Sequence, residues 1–348
     1  MRRPSTVAGL VVLACAAVVV SLAPARAMPT ATVDVAAGSY AGPLFSVSEK
    51  VNDNPRVLTK LLPNMARNDV RSAVLYFGAE GRADDAAFIA RVIKRAPGVI
   101  VPFYSTGRGG AWEGREAGPR LLKAYRAALA ALRQELGTKA IKGIGEIELM
   151  TWRMPHDDPR IMTLLDFAAK NGLAVMLHPR LGQLEQFEAL VAKYPTTVFL
   201  MHMFARDQYG KVFEDDRDAL IDLMSRRPNV YYTVDVDHML LGDRGGLLYA
   251  FADLPPDRAA RAFRAAFDTG RESMLAASLA KYLPLVQAHP DRVMWGTEMS
   301  TDYSYETSVY DRVIAFARAW IGGLPASAQE GVAYGNARRV LGPGVTLR

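Results

Sequence analysis

Eight short apolar segments, separated by longer amphipathic stretches, are the feature that most limits how this chain can fold. Each segment is rich in β-branched or other apolar residues and does not alternate between apolar and polar positions. Such runs are typical of parallel strands that are buried on both faces. The predicted strands are Pro43–Val47, Val70–Phe77, Val99–Tyr104, Ile141–Leu149, Ala174–His178, Val198–His202, Val230–Asp235 and Val293–Thr297.

Amphipathic helices are predicted between these strands and after the last one. They span Pro55–Arg67, Asp84–Arg95, Arg120–Leu136, Pro159–Asn171, Leu184–Tyr194, Asp215–Arg226, Pro256–His289 and Tyr305–Ile321. Strands that alternate with helices eight times, without a long linker, predict an α/β fold of the (β/α)8 TIM barrel type. The alternative is an open doubly wound sheet. Such a sheet usually has a glycine-rich turn after its first strand, whereas the turn after Val47 reads Ser-Glu-Lys-Val-Asn.

The N-terminal segment is predicted to be a secretory signal peptide that covers residues 1–27. Arg2 and Arg3 precede an almost continuous apolar run over residues 7–22, and Ala25-Arg26-Ala27 supplies the small residues of a cleavage site. One alternative is an uncleaved anchor, although the run is short for a membrane-spanning helix, which needs about 20 apolar residues. Another is a lipid anchor at Cys15, although the residues after Cys15 stay apolar where a polar tether is usual.

Cleavage after Ala27 would leave residues 28–348 as a single barrel domain. We expect this mature protein to be periplasmic or secreted. The formal charge falls from +6 to +3, because three arginines and no acidic residue are removed. The mature sequence contains no cluster of Lys and Arg that would indicate a nucleic acid partner. Cys15 is the only cysteine, so the mature chain has neither disulfides nor a cysteine nucleophile. We therefore expect a small-molecule substrate, no nucleic acid and no membrane partner after cleavage, with homo-oligomers left open.

Acidic residues and histidines lie where several predicted strands end. The fourth strand ends with Glu146 and Glu148, the fifth with His178, the sixth with His202, and Glu298 follows the eighth. The active site of a barrel of this type lies at the carboxyl ends of its strands. Carboxylates and imidazoles that meet there are the ligands that divalent metals require.

The other histidines are less informative. His238 lies just past the strand that ends at Asp235 and is a second-rank candidate. His156 follows the fourth strand and suits either a structural or a functional role. His289 precedes the eighth strand, at the opposite end of the barrel, and we expect it to be structural.

Four features together resemble the amidohydrolase-related family. They are Gly-Ile-Gly-Glu at 143–146, the strand-end His178 and His202, the segment His289–Glu298, and Gly-Asn-Ala-Arg-Arg-Val-Leu-Gly at 335–342. The last segment is a packing feature of that family, and the resemblance covers nearly the whole mature chain. It implies a metal-dependent hydrolase with a barrel fold.

The resemblance also implies roles for individual residues. His178 and His202 would be metal ligands, and Glu298 would be the catalytic acid–base residue that acts on the metal-bound water. Of the two acids in the fourth strand, we favour Glu146 as a further metal ligand. A bound divalent ion lowers the pKa of water towards about 7, which makes hydroxide available near neutral pH. One ion of Zn, Mn or Fe is therefore expected where the site is functional, and none where it is not.

Two positions depart from the family pattern. Ser46 and Ser48 stand where the first strand normally ends in His-x-His, and Glu298 stands where an aspartate is usual. Three accounts follow. A metal survives on the two histidines and a carboxylate of Glu146, Glu148 or Glu298; or the acids act directly as general acid and base; or the barrel has lost catalysis and binds a ligand.

Three arginines directly follow successive strands: Arg153, Arg180 and Arg206. Guanidinium groups form paired hydrogen bonds with carboxylates and phosphates, so we predict that these side chains bind an anionic substrate. The resulting hypothesis is a metal-dependent hydrolase of a small anionic or cyclic substrate. The alternatives are a decarboxylase or lactonase on the same scaffold, and a catalytically inactive binding protein.

Overall fold

A computed structural model describes most of the chain after residue 37. The described residues are 38–49, 57–77, 85–105, 117–136, 141–149, 154–180, 182–201, 213–242 and 245–342. The predicted signal peptide and its alternatives lie outside them. None of the helices in these ranges is both long enough and apolar enough to cross a membrane.

Eight parallel strands form one sheet whose spatial order follows the sequence. They are β1 (Leu44–Glu49), β2 (Val70–Phe77), β3 (Ile100–Tyr104), β4 (Gly143–Glu148), β5 (Ala174–His178), β6 (Phe199–Met201), β7 (Val230–Asp235) and β8 (Val293–Gly296). Each strand is paired with the next along the chain. The TIM barrel prediction is therefore confirmed, and the open doubly wound alternative is wrong.

Helices alternate with the strands. They are α1 (Leu62–Arg67), α2 (Asp85–Arg95), α3 (Ala117–Leu136), α4 (Pro159–Asn171), α5 (Leu184–Ala192), α6 (Phe213–Arg226), α7 (Pro256–Ala288), α8 (Thr307–Gly322), α9 (Ala326–Glu330) and α10 (Asn336–Leu341). A π-helical turn, Val57–Leu61, precedes α1. The ends of α4 show why the sequence predicted it well: Asp158 caps its first turn through the Arg160 N–H, and Gly172 ends it in a left-handed conformation.

The barrel is nearly closed at the seam between β1 and β8. Glu49 forms a parallel bridge with Met299, and the Glu298 N–H donates a hydrogen bond of 3.0 Å to the Ser48 carbonyl. These contacts join the first strand to the residues that follow the last one. The seam therefore brings the end of β1 next to Glu298.

Two apolar layers define which way each strand residue faces. A small inner cluster contains alternate strand residues, which only the barrel interior can bring together: Phe45, Val47, Val74, Tyr76, Val101, Phe103, Ala174, Met176, Leu200 and Met294. A larger outer cluster contains the intervening residues and the inner faces of the helices. Each fully buried aliphatic or aromatic side chain contributes about 1.5–3 kcal/mol to folding. Strand residues that belong to the inner cluster have side chains that face the barrel interior.

The C-terminal segment closes the bottom of the barrel. Ala337, Val340 and Leu341 of α10 pack on the inner cluster. The Asn336 side chain donates hydrogen bonds of 2.8 Å to the carbonyls of Pro290 and Val293. The Asn-Ala-Arg-Arg segment thus packs against the entry to β8, at the end of the barrel opposite to the strand-end carboxyls.

Candidate active site at the barrel mouth

His178 and Glu146 meet on one side of the barrel mouth. Ala174 and Met176 of β5 belong to the inner cluster, so side-chain alternation turns His178 inward as well. Its Nε2 atom lies 3.5 Å from Glu146 Oε1, and both side chains are buried. Two ligands of one zinc ion, each bound at about 2.1 Å in tetrahedral geometry, lie about 3.4 Å apart. The pair thus has the donor types and the spacing of two metal ligands.

A bulge in β4 places Glu146 beside His178. Ile144 pairs with Val175 and Ile147 pairs with Leu177, so three steps along β4 match two along β5. An extra residue of this kind redirects a side chain, and bulges are common next to active sites. Glu148, the other acid of this strand, is only partly buried and forms no ion pair with any described residue.

The described residues alone do not complete a metal centre. They contain no group of three histidine or acidic side chains that could hold a metal ion. His178 and Glu146 are therefore not joined by Glu298 in such a group. His202, the predicted third ligand, lies outside the described residues, directly after the end of β6. The two donors fit a divalent cation, and the third ligand remains a prediction.

Ser46 and Ser48 face in different directions although they are two residues apart. Phe45 and Val47 belong to the inner cluster, so Ser46 faces outward, where its hydroxyl accepts a hydrogen bond from the Thr297 N–H at 3.2 Å. Ser46 pairs with Ala73 but Glu49 pairs with Leu75, which reveals a bulge at the end of β1. The bulge turns Ser48 towards β8 and the barrel mouth.

Ser48 contacts the predicted catalytic acid directly. Its Oγ donates a hydrogen bond of 2.5 Å to Glu298 Oε2, a length typical of a hydroxyl bound to a carboxylate. Glu298 has a φ of 59°, which lies in the left-handed region. A residue other than glycine pays about 1–3 kcal/mol for such a conformation, and such strain is often found at functional sites. Both side chains are buried.

Asp235 is a third polar group on this side of the mouth, and no role was predicted for it, although it is the acid at the end of a predicted strand. It ends β7 and pairs with Gly296 of β8. A Cβ atom on Gly296 would lie 2.8 Å from Asp235 Oδ1 and 2.9 Å from Ser48 Cβ. Gly296 therefore leaves the space in which the two side chains approach each other. An acid at a strand end, next to a glycine on the neighbouring strand, was the signal available in the sequence.

Glu49 was also missed, and it faces the outer layer. It is completely buried, and neither of its carboxyl oxygens has a hydrogen-bond partner within the described ranges. Its pKa is raised to about 8, chiefly by burial; the hydroxyls of Thr297 and Ser46 lower the pKa, and the charge of Glu298 raises it. Both hydroxyls donate instead to the Ser48 carbonyl, at 3.1 and 3.5 Å. Glu49 is therefore protonated at neutral pH.

The predicted arginines are only partly described. Arg180 follows β5 and is partly buried, and its backbone N–H donates to His156 Nε2 at 3.3 Å. Burial and the charge of Arg180 lower the pKa of His156 to about 4, so this histidine is neutral and helps to hold the Arg180 backbone. Arg153 and Arg206 lie outside the described residues.

His238 and His289 are the two remaining histidines. The side chain of His238 is outside the described part of the structure. His289 contacts the Ile221 carbonyl at 2.8 Å near the end of α6, which gives it a structural role.

Comparison with known proteins supports this assignment of fold. A family model for amidohydrolases matches residues 34–342. A probable 2-pyrone-4,6-dicarboxylic acid hydrolase from Acinetobacter baumannii, solved with citric acid bound, has 11% identity over 86% of this chain and 99% of its own, with a TM-score of 0.51. A TatD homologue from Escherichia coli has 12% identity over 86% of this chain and 97% of its own, with a TM-score of 0.50.

A zinc-bound amidohydrolase from Burkholderia multivorans has 16% identity over 81% of this chain and 87% of its own, with a TM-score of 0.48. Curated proteins gave no match. The two structures with TM-scores of 0.50 and 0.51 show a shared fold alone. The family model matches most of the chain and supports a hydrolase-type function. The chain belongs to the amidohydrolase family.

Proposed function

We propose that this protein is a hydrolase that acts on a small anionic or cyclic substrate at the barrel mouth and uses one divalent cation. The observation that carries the proposal is the buried His178–Glu146 pair, whose Nε2 and Oε1 atoms are 3.5 Å apart. An imidazole and a carboxylate at this distance suit Zn, Mn or Fe. His202 is the third ligand in this proposal.

The chain's own residues have distinct tasks. A divalent cation bound there supplies Lewis-acid activation of the substrate and of water. Glu298, on the opposite side of the mouth, accepts a proton at Oε2 and returns it to the leaving group. Arg180, together with Arg153 and Arg206, binds the anionic group of the substrate. The apolar inner cluster beneath these groups excludes bulk water and strengthens their electrostatic interactions.

A ligand-binding barrel without catalysis is the second candidate. It is favoured by the serines on the first strand, because a serine hydroxyl is a weak ligand for zinc where the family has two imidazoles. This candidate predicts a folded protein that binds small anions but turns none of them over.

Metal content and turnover test the proposal together. The purified protein would be reconstituted with Zn, Mn or Fe, and its metal content measured by elemental mass spectrometry. The same samples would be assayed with a panel of small esters, lactones and amides that carry a carboxylate. We expect about one equivalent of metal and metal-dependent turnover of at least one substrate.

Matched variants identify the ligands. His178→Ala and Glu146→Gln should lose the bound metal. Glu148→Gln should keep it, because Glu148, although paired with His178 in the sheet, forms no ion pair with it among the described residues. A wild-type protein that stays without metal after reconstitution would overturn the cation-dependent function. Stoichiometric metal without turnover of any substrate would favour the binding protein.

A further inference from the structure

The contact between Ser48 and Glu298 has the form of a nucleophile with its base. We infer that Ser48 Oγ is a nucleophile, activated by the Glu298 carboxylate, that attacks the carbonyl carbon of a small carboxylic ester or lactone. The inference rests on the proposed function in one respect, namely that this mouth hydrolyses acyl substrates. It changes the first attacking group from water to the side chain of this chain's own serine.

The first support is the contact itself. A catalytic hydroxyl needs a base within hydrogen-bond reach, and the Ser48 hydroxyl donates to Glu298 Oε2 at 2.5 Å. The serine has its proton directed at the group that must remove it. The Ser48 carbonyl is fixed separately, because it accepts hydrogen bonds from the Glu298 N–H at 3.0 Å and the Thr297 hydroxyl at 3.1 Å. The backbone of the pair is thus held from the same segment that supplies the base.

The second support is the backbone around each partner. The bulge in β1 turns Ser48 out of the alternation that leaves Ser46 facing outward. Directly after β8, Glu298 adopts a left-handed φ of 59°. Two unusual backbone features, a bulge and a left-handed residue, therefore converge on one hydrogen bond. A serine needed only for packing requires neither of them.

The third support is the space beside Ser48. Gly296 has no side chain, and any Cβ there would lie 3.0 Å or less from Ser48 N, Ser48 Cβ and Asp235 Oδ1. The site therefore holds a second buried carboxyl, that of Asp235, next to the serine. We assign Asp235 as a positioning residue that restricts the Ser48 side chain from the neighbouring strand, next to Gly296.

The proposed reaction has two balanced steps. In the first, the Ser48 Oγ–C bond forms, its proton moves to Glu298 Oε2, and the ester C–O bond breaks as Glu298 protonates the departing alkoxide. The product is an acyl ester of Ser48. In the second step, water attacks this ester, Glu298 accepts a proton from the water, and that proton returns to Ser48 Oγ as the carboxylic acid leaves.

A small covalent probe tests the inference without knowledge of the substrate. Diisopropyl fluorophosphate forms an O–P bond with a nucleophilic serine as the P–F bond breaks, and the serine proton passes to the base. Ser48 is buried, which is why a small probe is chosen. The full-length protein would be treated with this probe and its peptides mapped by mass spectrometry. We expect a single adduct, at Ser48.

Four variants make the outcome specific. Ser48→Ala should remove the adduct, and Glu298→Gln should slow labelling at least about a hundredfold, because the proton acceptor is gone. Asp235→Asn should slow it less, and Ser46→Ala, the matched serine that faces outward, should leave it unchanged. Where Ser48→Ala fails to fold, Ser48→Cys supplies the same information. Iodoacetamide should modify the thiol at position 48 of that variant, whereas the fluorophosphate should not.

The result separates this inference from the proposed function. Absence of an adduct at Ser48, under conditions that fully label a serine esterase, overturns the inference, as does labelling of Glu298→Gln at the wild-type rate. Metal-dependent hydrolysis without an adduct would leave water as the nucleophile and keep the proposed function. An adduct in protein that binds no metal would keep the serine and remove the cation.

Discussion

The two sides of the barrel mouth differ in how far they depart from the pattern expected of the family. On the β4–β5 side, Glu146 and His178 lie 3.5 Å apart as a pair of metal-type donors. On the β1–β8 side, Ser48 and Glu298 share a hydrogen bond, and the first-strand imidazoles are absent. One side presents an imidazole and a carboxylate at a distance that suits two ligands of one cation. The other presents a hydroxyl that donates to a carboxylate.

Both sides contain a bulge, and the two bulges have opposite consequences. In β4 the extra residue brings Glu146 against His178, as the family resemblance implies. In β1 it separates Ser46 from Ser48, so that only Ser48 reaches the mouth. A spacing of two residues predicts a shared face only where the strand is regular. The difference between the sides is therefore a difference in local register as well as in residue type.

The largest expected effect comes from removing one acid on each side. Glu298→Gln should lower kcat/KM about 10²–10⁴-fold, because a general acid–base residue contributes that much, while the metal content stays at the wild-type level. Glu146→Gln should lower the metal content itself. Parallel measurement of kcat/KM and of bound metal checks this division. Loss of metal in Glu298→Gln would show that the two sides form one metal centre, and would contradict the division of tasks between them.

The next largest effect concerns the pH dependence of stability and arises from Glu49, the residue that follows Ser48 on β1. Its pKa of about 8 exceeds its ordinary value of 4.5, chiefly because of burial, so the folded protein keeps a proton that the unfolded chain releases. Stability should therefore fall as pH rises from about 4.5 to about 8, by on the order of 4–5 kcal/mol, and should change little above that range. Glu49→Gln imitates the protonated acid and should remove this slope.

Thermal unfolding between pH 5 and pH 9 measures the slope. The control is Glu135→Gln, an exposed acid whose pKa is lowered by its hydrogen bond with Lys94 and by the charge of that lysine. That substitution should leave the slope of the wild-type protein intact. Identical slopes for wild-type and Glu49→Gln protein would mean that Glu49 is ionised in the folded state at neutral pH.

Much of the barrel was predictable from the sequence, because apolar runs report burial directly. β2, β5, β7 and α4 begin and end at the predicted residues, since turn and cap residues mark their ends. The site was less predictable. Glu49 and Asp235 needed knowledge of which strand neighbours they meet, and the facing of Ser48 depended on a bulge with no sequence marker. Alternation along a strand is local information, whereas the hydrogen bond between Ser48 and Glu298 joins residues 250 positions apart.

A smaller effect is expected from the glycine on each side of the mouth. Gly145 has a φ of 144°, and a Cβ there would lie 2.6 Å from Met176 Cβ, so Gly145→Ala should cost about 3 kcal/mol or more. Gly296→Ala meets its nearest atoms at 2.8–3.0 Å and should cost about 1–3 kcal/mol. Denaturant unfolding measures both. Equal losses of unfolding free energy in the two variants would show that both sides of the mouth are equally sensitive to an added Cβ atom.

The smallest effect tests whether the two serines of β1 have separate tasks. Ser46→Ala removes the hydroxyl that accepts the Thr297 N–H at 3.2 Å, which leaves a buried donor without its partner. We expect a loss of about 1–2 kcal/mol in stability and no change in the rate at which the fluorophosphate reacts with Ser48. Chemical unfolding and labelling of one protein sample provide both values. A labelling rate that falls together with stability would mean that Ser46 helps to hold Ser48 and Glu298 in the reactive geometry, in addition to stabilising the end of β1.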